Sequence, residues 1–317
     1  MRFLVTGGAG FLGTALANRL VRDGHQVRVI DDLSAGDPAR LDERVLFTRG
    51  DVANRPKLWT LLQDVDCVYH LAARVQVSES ILYPREYNEV NVGGTVSVME
   101  AMRDAGVRRV VFTSSGAVYG EQADQPVRED QTPNPQSPYA VSKLAAEYYV
   151  RTIGALWGIE TVILRIFNAY GPGQNLPPAH PPVVPRFLQQ ALGGGSLVIF
   201  GGGGQTRDFV YVDDAAEALV EAATAADVDR RIINVGSGRE TSINDLVGVV
   251  ARVTGREVEV LHSPAESGGV SRLCADVGSA RRLLGYQPRV DLAQGLRRTL
   301  EQDWRFQQRT GGEGAGG

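Results

Sequence analysis

Short β-branched runs alternate with helical segments through the first half of the chain, an order that few folds accommodate. "RFLVTG", "QVRVID", "VLFTRGD", "CVYHLAA" and "RVVFTSS" read as buried strands. "FLGTALANRLVRDG" and "VNVGGTVSVMEAMRDAG" read as helices between them. Strands alternating with helices predict an α/β chain built on a doubly wound parallel sheet. "ETVILRIFNAYGP" supplies a further strand, and the pattern then loosens into "GPGQNLPPAHPPVVP". Long Pro- and Gly-rich loops of this kind are uncommon and often functional. "RFLQQALGGG" and "AAEALVEAATAA" read as helices on either side of "LVIFGGGGQTRDFVYVDD", and a smaller α/β region follows. The expected division is a nucleotide-binding domain at 1–168 plus about 205–237, with a smaller substrate-binding domain at about 169–204 and 238–310. The tail "GGEGAGG", 311–317, reads as flexible.

"TGGAGFLG" follows the first strand and opens a helix, with Gly7, Gly10 and Gly13 spaced as GxxGxxG. Glycines there permit a tight turn and bring a pyrophosphate close to free N–H groups at a helix start. A glycine triplet alone is weak evidence and could be a structural turn. This one has its strand before it, its helix after it, and Asp31 at the end of the next strand. A carboxylate in that place accepts from a ribose 2′-hydroxyl and repels a 2′-phosphate, so the expected cofactor is NAD rather than NADP. Asp51 and Val52 end the third strand where an adenine could be read, although Asp51 could equally cap a helix.

In "SPYAVSKLAAEYY", Ser137 can cap a helix and Pro138 suits its first turn. Tyr139 and Lys143 are then i and i+4 and share a face. Alone, such a pair is ordinary helix surface. The preceding "FTSSGAVYGE" places Ser115 at a strand end, on the edge where open α/β sheets bind ligands. Formal net charge is −4, so no basic excess points to nucleic acid or an anionic membrane as partner. Cys67 and Cys274 have no metal spacing and fit a reducing, cytoplasmic setting. His25, His70, His180 and His262 form no metal or triad pattern, so no metal is expected, and His70 reads as structural. "MRFLVTGGAG" reaches glycine too soon for a signal peptide, and no apolar run is long enough to span a membrane.

The glycine turn, the strand-end serine and the Tyr-x-x-x-Lys helix, in this order, resemble the extended short-chain dehydrogenase/reductase superfamily over nearly the whole chain. The resemblance implies a Rossmann fold with Ser115, Tyr139 and Lys143 as the catalytic set. Tyr139 would take a sugar hydroxyl proton, Ser115 would hydrogen-bond that oxygen, and Lys143 would hold the nicotinamide ribose and make the phenol a usable base. A cation ~5 Å from a phenol, at an effective dielectric near ~20, favours the phenolate by roughly 3 kcal/mol. The implied NAD contacts are Gly7, Gly10, Phe11, Leu12, Gly13, Asp31, Asp32, Leu33, Ser34, Gly36, Asp51, Val52, Leu71, Ala72, Ala73, Thr113, Tyr139, Lys143 and Ile166.

Further matches resemble the nucleotide-sugar branch. There Asn168 would meet phosphate or sugar, Val183 and Val198 would line the base pocket, Phe200 would pack near the base, and Arg207 would pair with the diphosphate. Sugar 4,6-dehydratases of the family carry an Asp–Glu pair just after the serine, where this chain has Gly116 and Ala117. The remaining set resembles UDP-galactose 4-epimerase-like enzymes, which oxidise C4 to a keto-sugar and return hydride to the other face. A reductase, a UDP-glucuronate or dTDP-sugar enzyme, and a non-catalytic NAD-binding protein are the alternatives. The late loop "HSPAESGGVSRLCAD" has Glu266 and Gly269 where relatives place an arginine and an acid, so Arg272 is expected to compensate. Leu273 stands where the family gates the sugar 2-substituent, and its size suggests some tolerance of N-acetyl groups. Asp213 and Asp214 read as caps of the following helix. The resemblance also implies a homodimer formed through a four-helix bundle.

Overall fold

The structure is a computed structural model that describes residues 1–264 and 269–310. Glu266 and the 311–317 tail lie outside the described residues. The strands expected from the first half are all present: β1 (Arg2–Thr6), β2 (Gln26–Asp31), β3 (Leu46–Arg49), β4 (Cys67–His70), β5 (Arg109–Ser115) and β6 (Glu160–Ile166). With the strand Arg231–Val235 they form a seven-stranded sheet, in the order Arg231–Val235, β6, β5, β4, β1, β2, β3. Every pairing in it is parallel.

The near-continuous apolar runs follow from burial on both faces. Successive side chains of a strand point to opposite sides. Phe3, Val5, Val29, Tyr69 and Val111 therefore enter one core, whereas Leu4, Ile30, Val68, Val110 and Phe112 enter the other. A third core joins Tyr170, Phe187, Leu188, Ile199, Tyr211, Leu246, Leu296 and Phe306. Phe11, Leu12 and Ala15 of the helix Phe11–Arg22 pack against this third core, so the glycine turn sits where two cores meet.

Three features depart from the sequence reading. "ETVILRIFNAYGP" is not one strand. It breaks at Phe167, whose N–H donates to Val235 O, while Asn168 N–H donates to Asp208 O. Asn168–Tyr170 then leaves the main sheet to pair with Phe209–Tyr211. Asp213 and Asp214 lie in the first turn of the helix Val212–Thr224, and neither caps it. Asp214 instead accepts from the backbone N–H groups of Arg289 and Val290 and ties the late chain to this helix. The short helices Arg55–Leu61, Val77–Leu82 and Pro84–Asn88 had no clear signature in the sequence.

Candidate active site

The strand order reverses between β1 and β4, which places a crevice at the carboxyl ends of the sheet. Gly7 has φ +66°, and a Cβ on it would lie 2.7 Å from the backbone of Ala72. Only glycine fits there. Gly10 is the N-cap of the helix Phe11–Arg22 and no side chain caps it, so the turn offers backbone N–H groups. Asp31 is buried at the end of β2. Its Oδ2 accepts from Ala9 N at 3.0 Å and its Oδ1 from Leu33 N at 2.8 Å. Burial raises its carboxyl above the usual range, and these N–H groups oppose the rise. Leu33 adopts φ +67°, held by that bond, and Asp32 accepts from the N–H and hydroxyl of Ser34. Gly36 closes against Asp31, since a Cβ there would sit 2.9 Å from Oδ1.

Asp51 does not cap the helix Arg55–Leu61; Asn54 does, and Asp51 closes a local turn by accepting from Ala53 N. Val52 is buried against Gly94. Leu71 N donates to Thr6 O and Ala72 N to Thr6 Oγ1, and Ala73 follows them in the loop after β4. Thr113 Oγ1 donates to His70 O, and Ile166 ends β6. The structure thus brings the expected cofactor residues to one edge of the sheet. The fit to a dinucleotide rests on the uncapped turn at Gly10 and on the buried acid beside it.

Ser137 caps the helix Pro138–Trp157, accepting from Ala140 N at 3.2 Å. Asn91 Nδ2 donates to Ser142 Oγ, which donates to Tyr139 O, so the first turn is locked. Tyr139 and Lys143 face inward and are 9% and 4% exposed. This is a buried helix face, not the solvated one that the pair alone would suggest. Ser115 ends β5, accepts from Ala117 N at 3.2 Å, and hydrogen-bonds the Tyr139 phenol. Tyr87 meets the Tyr139 ring edge-on at 6.4 Å.

The electrostatics differ from expectation. Tyr139 sits above the usual tyrosine range because burial disfavours the phenolate, and only the Ser115 hydrogen bond opposes this. Lys143 is not among the groups acting on the phenol. Burial pulls the lysine itself down to about 8, against the charge of Glu147. Its ammonium lies 4.6 Å from the centre of the Phe112 ring, a cation–π contact. His70 Nδ1 is 2.7 Å from Thr6 Oγ1 and Nε2 is 2.9 Å from Thr95 Oγ1. Burial holds His70 at about 3, hence neutral, as a structural residue. A Cβ on Gly116 would come 3.1 Å from the Phe167 ring, so an acidic side chain there would require that ring to move.

The expected substrate residues lie further along the chain. Asn168 is exposed at the start of its short strand, and its side chain makes no hydrogen bond among the described residues. Val183 begins the helix Val183–Leu192, while Val198 and Phe200 lie on the strand Leu197–Phe200. Arg207 Nη1 donates to Thr206 O at 2.7 Å. Burial lowers its guanidinium, with Glu121 opposing, and among the described residues it forms no ion pair. Gly269 leaves room for it, because a Cβ there would approach Arg207 Nη2 to 3.3 Å. Arg272 is not available as a substitute grip. Its Nε and Nη2 hold Glu240 at 2.7 and 2.8 Å. Leu273 is buried in the core.

Sequence reasoning missed three charged residues at this site. Arg186 Nη2 donates to Val198 O at 3.2 Å and its guanidinium stacks 5.4 Å from the Phe200 ring, bracing that shelf. Glu147 and Arg165 form a buried ion pair between the helix Pro138–Trp157 and β6. The last two carried a readable signal, namely a charge inside the apolar strand "TVILRIF" and an acid i+4 from Lys143.

Residues 3–236 match the model of the NAD dependent epimerase/dehydratase family. A UDP-glucose 4-epimerase of Mycolicibacterium smegmatis is 40% identical over 308 residues, covering 95% of this chain and 98% of that protein. The solved UDP-glucose 4-epimerase of Thermotoga maritima with UDP-glucose superposes with a TM-score of 0.92 at 33% identity, covering 98% and 99% of the two chains. The Thermus thermophilus UDP-glucose 4-epimerase in complex with NAD gives a TM-score of 0.89 at 33% identity, covering 98% and 100%.

Proposed function

The chain belongs to the NAD-dependent epimerase/dehydratase family, and from that premise we propose that it is a nucleotide-sugar 4-epimerase acting on UDP-glucose and UDP-galactose. One observation carries the choice within the family: Ser115 meets the Tyr139 phenol and Lys143 shares its buried helix face, while Gly116 and Ala117 offer no second acid or base. Dehydration needs such a pair; epimerisation at C4 does not.

Gly7, Gly10 and Gly13 with Asp31 would hold NAD, which supplies the two-electron oxidation at C4 and its reversal. Tyr139 accepts the proton of the C4 hydroxyl and later gives it back, so the cycle has no net proton or redox change. Ser115 holds the same oxygen. The phenolate that accepts this proton is buried, so it needs positive charge nearby, and Lys143 is the buried cation one helical turn away. Arg207, which forms no ion pair among the described residues, fits a diphosphate, and Phe200 with Val183 and Val198 fits a nucleobase. These roles assign residues 169–204 and 238–310 to the nucleotide-sugar domain.

Purified holoprotein, with no cofactor added, is expected to interconvert UDP-glucose and UDP-galactose by ¹H NMR and to retain NAD. Inertness toward UDP- and dTDP-hexoses alike would sink the proposal, and a need for added NADH would favour a reductase. An apolar contact to the sugar 2-substituent discriminates by only ~1–3 kcal/mol. The N-acetylated pair is therefore expected as a weaker substrate, by roughly 10–200-fold.

Asp31→Ala is expected to narrow the preference for NAD over NADP, because it removes the charge that repels a 2′-phosphate. Titration of apoprotein with both cofactors checks this; an unchanged ratio would place the discrimination elsewhere.

We also propose a cytoplasmic homodimer. Ile81, Leu82, Tyr83, Val141 and Tyr148 are 50–70% exposed on the packed helices Val77–Leu82 and Pro138–Trp157 and on the residue that follows the first. An apolar face of this kind, able to meet its own copy, suits a two-fold interface. Sedimentation is expected to give a dimer for the wild type and a monomer for Leu82→Asp.

A further inference from the structure

The Glu147–Arg165 pair lies under the active site, and the chemistry above makes no use of it. Arg165 grips both carboxylate oxygens, Nε to Oε1 at 2.9 Å and Nη2 to Oε2 at 2.7 Å. Ser114 Oγ donates to Oε1 at 2.5 Å, and the Arg165 guanidinium stacks 4.6 Å from the Tyr119 ring. The two side chains are 3% and 2% exposed. A buried ion pair is commonly no more stabilising than packed apolar residues of the same volume. Stability alone therefore does not account for it.

The surroundings suggest another use. Glu147 is one turn beyond Lys143 on the inward face of the same helix. Ser114, which binds Glu147, is the chain neighbour of Ser115. Lys143 faces few charged groups. Its own helix presents Tyr139 and Glu147, β4 presents neutral His70, and β5 presents the Phe112 ring. β6 presents Arg165, the cation that grips Glu147, and it does not act on Lys143. Among the described residues, Glu147 is thus the one anion acting on this ammonium.

We infer that Glu147, locked as a carboxylate by Arg165 and Ser114, is a positioning residue that keeps Lys143 in its ammonium form while Tyr139 carries the proton. The inference rests on the role given to Lys143 in the proposed function. Burial already draws this lysine down to about 8, and Glu147 is the group that opposes further loss. Arg165 and Ser114 hold that carboxylate in place on the inward face of the helix.

The chain permits a direct test, because Lys57 and Lys143 are its only two lysines. Holoprotein grown with ¹³Cε-lysine gives two signals, and Lys143→Met assigns them. Glu147→Gln alone would strand Arg165 as a bare buried charge. The informative variant is therefore Glu147→Gln/Arg165→Met, which neutralises both partners at similar volume. It is expected to stay folded, with the Lys143 signal titrating about one unit or more lower than in the wild type and Lys57 unmoved. The alkaline limb of the pH–kcat profile should move down by the same amount, with turnover recovered below that limb. A merely structural role would lower Tm, or kcat at every pH, and leave both midpoints in place. A Lys143 midpoint unchanged in the folded double variant overturns the inference. A midpoint that moves while the kcat limb does not overturns instead the role given to Lys143 in the proposed function.

Discussion

Tyr139→Phe is expected to fold, retain NAD and lose turnover by roughly 10²–10⁴-fold, the range spanned by a positioned proton carrier. The ring is 9% exposed and keeps its edge-on contact with Tyr87 at 6.4 Å, so packing survives. Ser115 Oγ still accepts from Ala117 N, so no buried group loses its only partner. Stability should therefore change by no more than about 1 kcal/mol. Paired measurements of kcat and Tm check this, and turnover within a few-fold of wild type removes Tyr139 from the mechanism.

Lys143→Met carries an expectation of opposite sign for activity and stability. Activity should fall by a comparable ~10²–10⁴-fold, and NAD should be held less tightly, because one cation serves both roles. Stability at pH 7 should rise. Lys143 titrates at about 8 in the fold against 10.5 for the free side chain, so its charged form is disfavoured on folding. That gap corresponds to a cost on the order of 3 kcal/mol below pH 8. The cost diminishes as pH climbs from 8 to 10.5, where the unfolded chain binds more protons than the native one, and the advantage of methionine should shrink over that window. Thermal melts across the pH range read this directly. A variant that is fully active, or less stable than wild type at pH 7, contradicts the account of Lys143 as a costly buried cation. Functional groups kept against stability are a known trade-off.

Local chemistry was the legible part. β-branched runs, the glycine turn and the Ser137–Pro138 start each act within a few residues, and the structure has them where expected. The depth of a face was not legible. Helical spacing aligns Tyr139 with Lys143 but does not say that both are sealed, and burial reverses the direction in which the phenol shifts. Partnerships across long stretches of chain were equally hidden. Arg272 looks free in its loop until Glu240 arrives from another segment, and Asp214 looks like a cap until the backbone at Arg289 reaches it. Glu147 and Arg165 were visible as misplaced charges, but their pairing needs the contact between helix and sheet.

The seventh strand has a consequence for how the protein is made. Arg231–Val235 covers β6, yet the whole excursion through residues 169–230 is synthesised between them. At ~5–20 residues per second, the β6 edge of a nascent chain waits several seconds for its partner. During that wait it is an apolar, unpaired strand able to recruit another chain. Nascent chains stalled near residue 200 should therefore aggregate or bind chaperones, and released full-length chains should not.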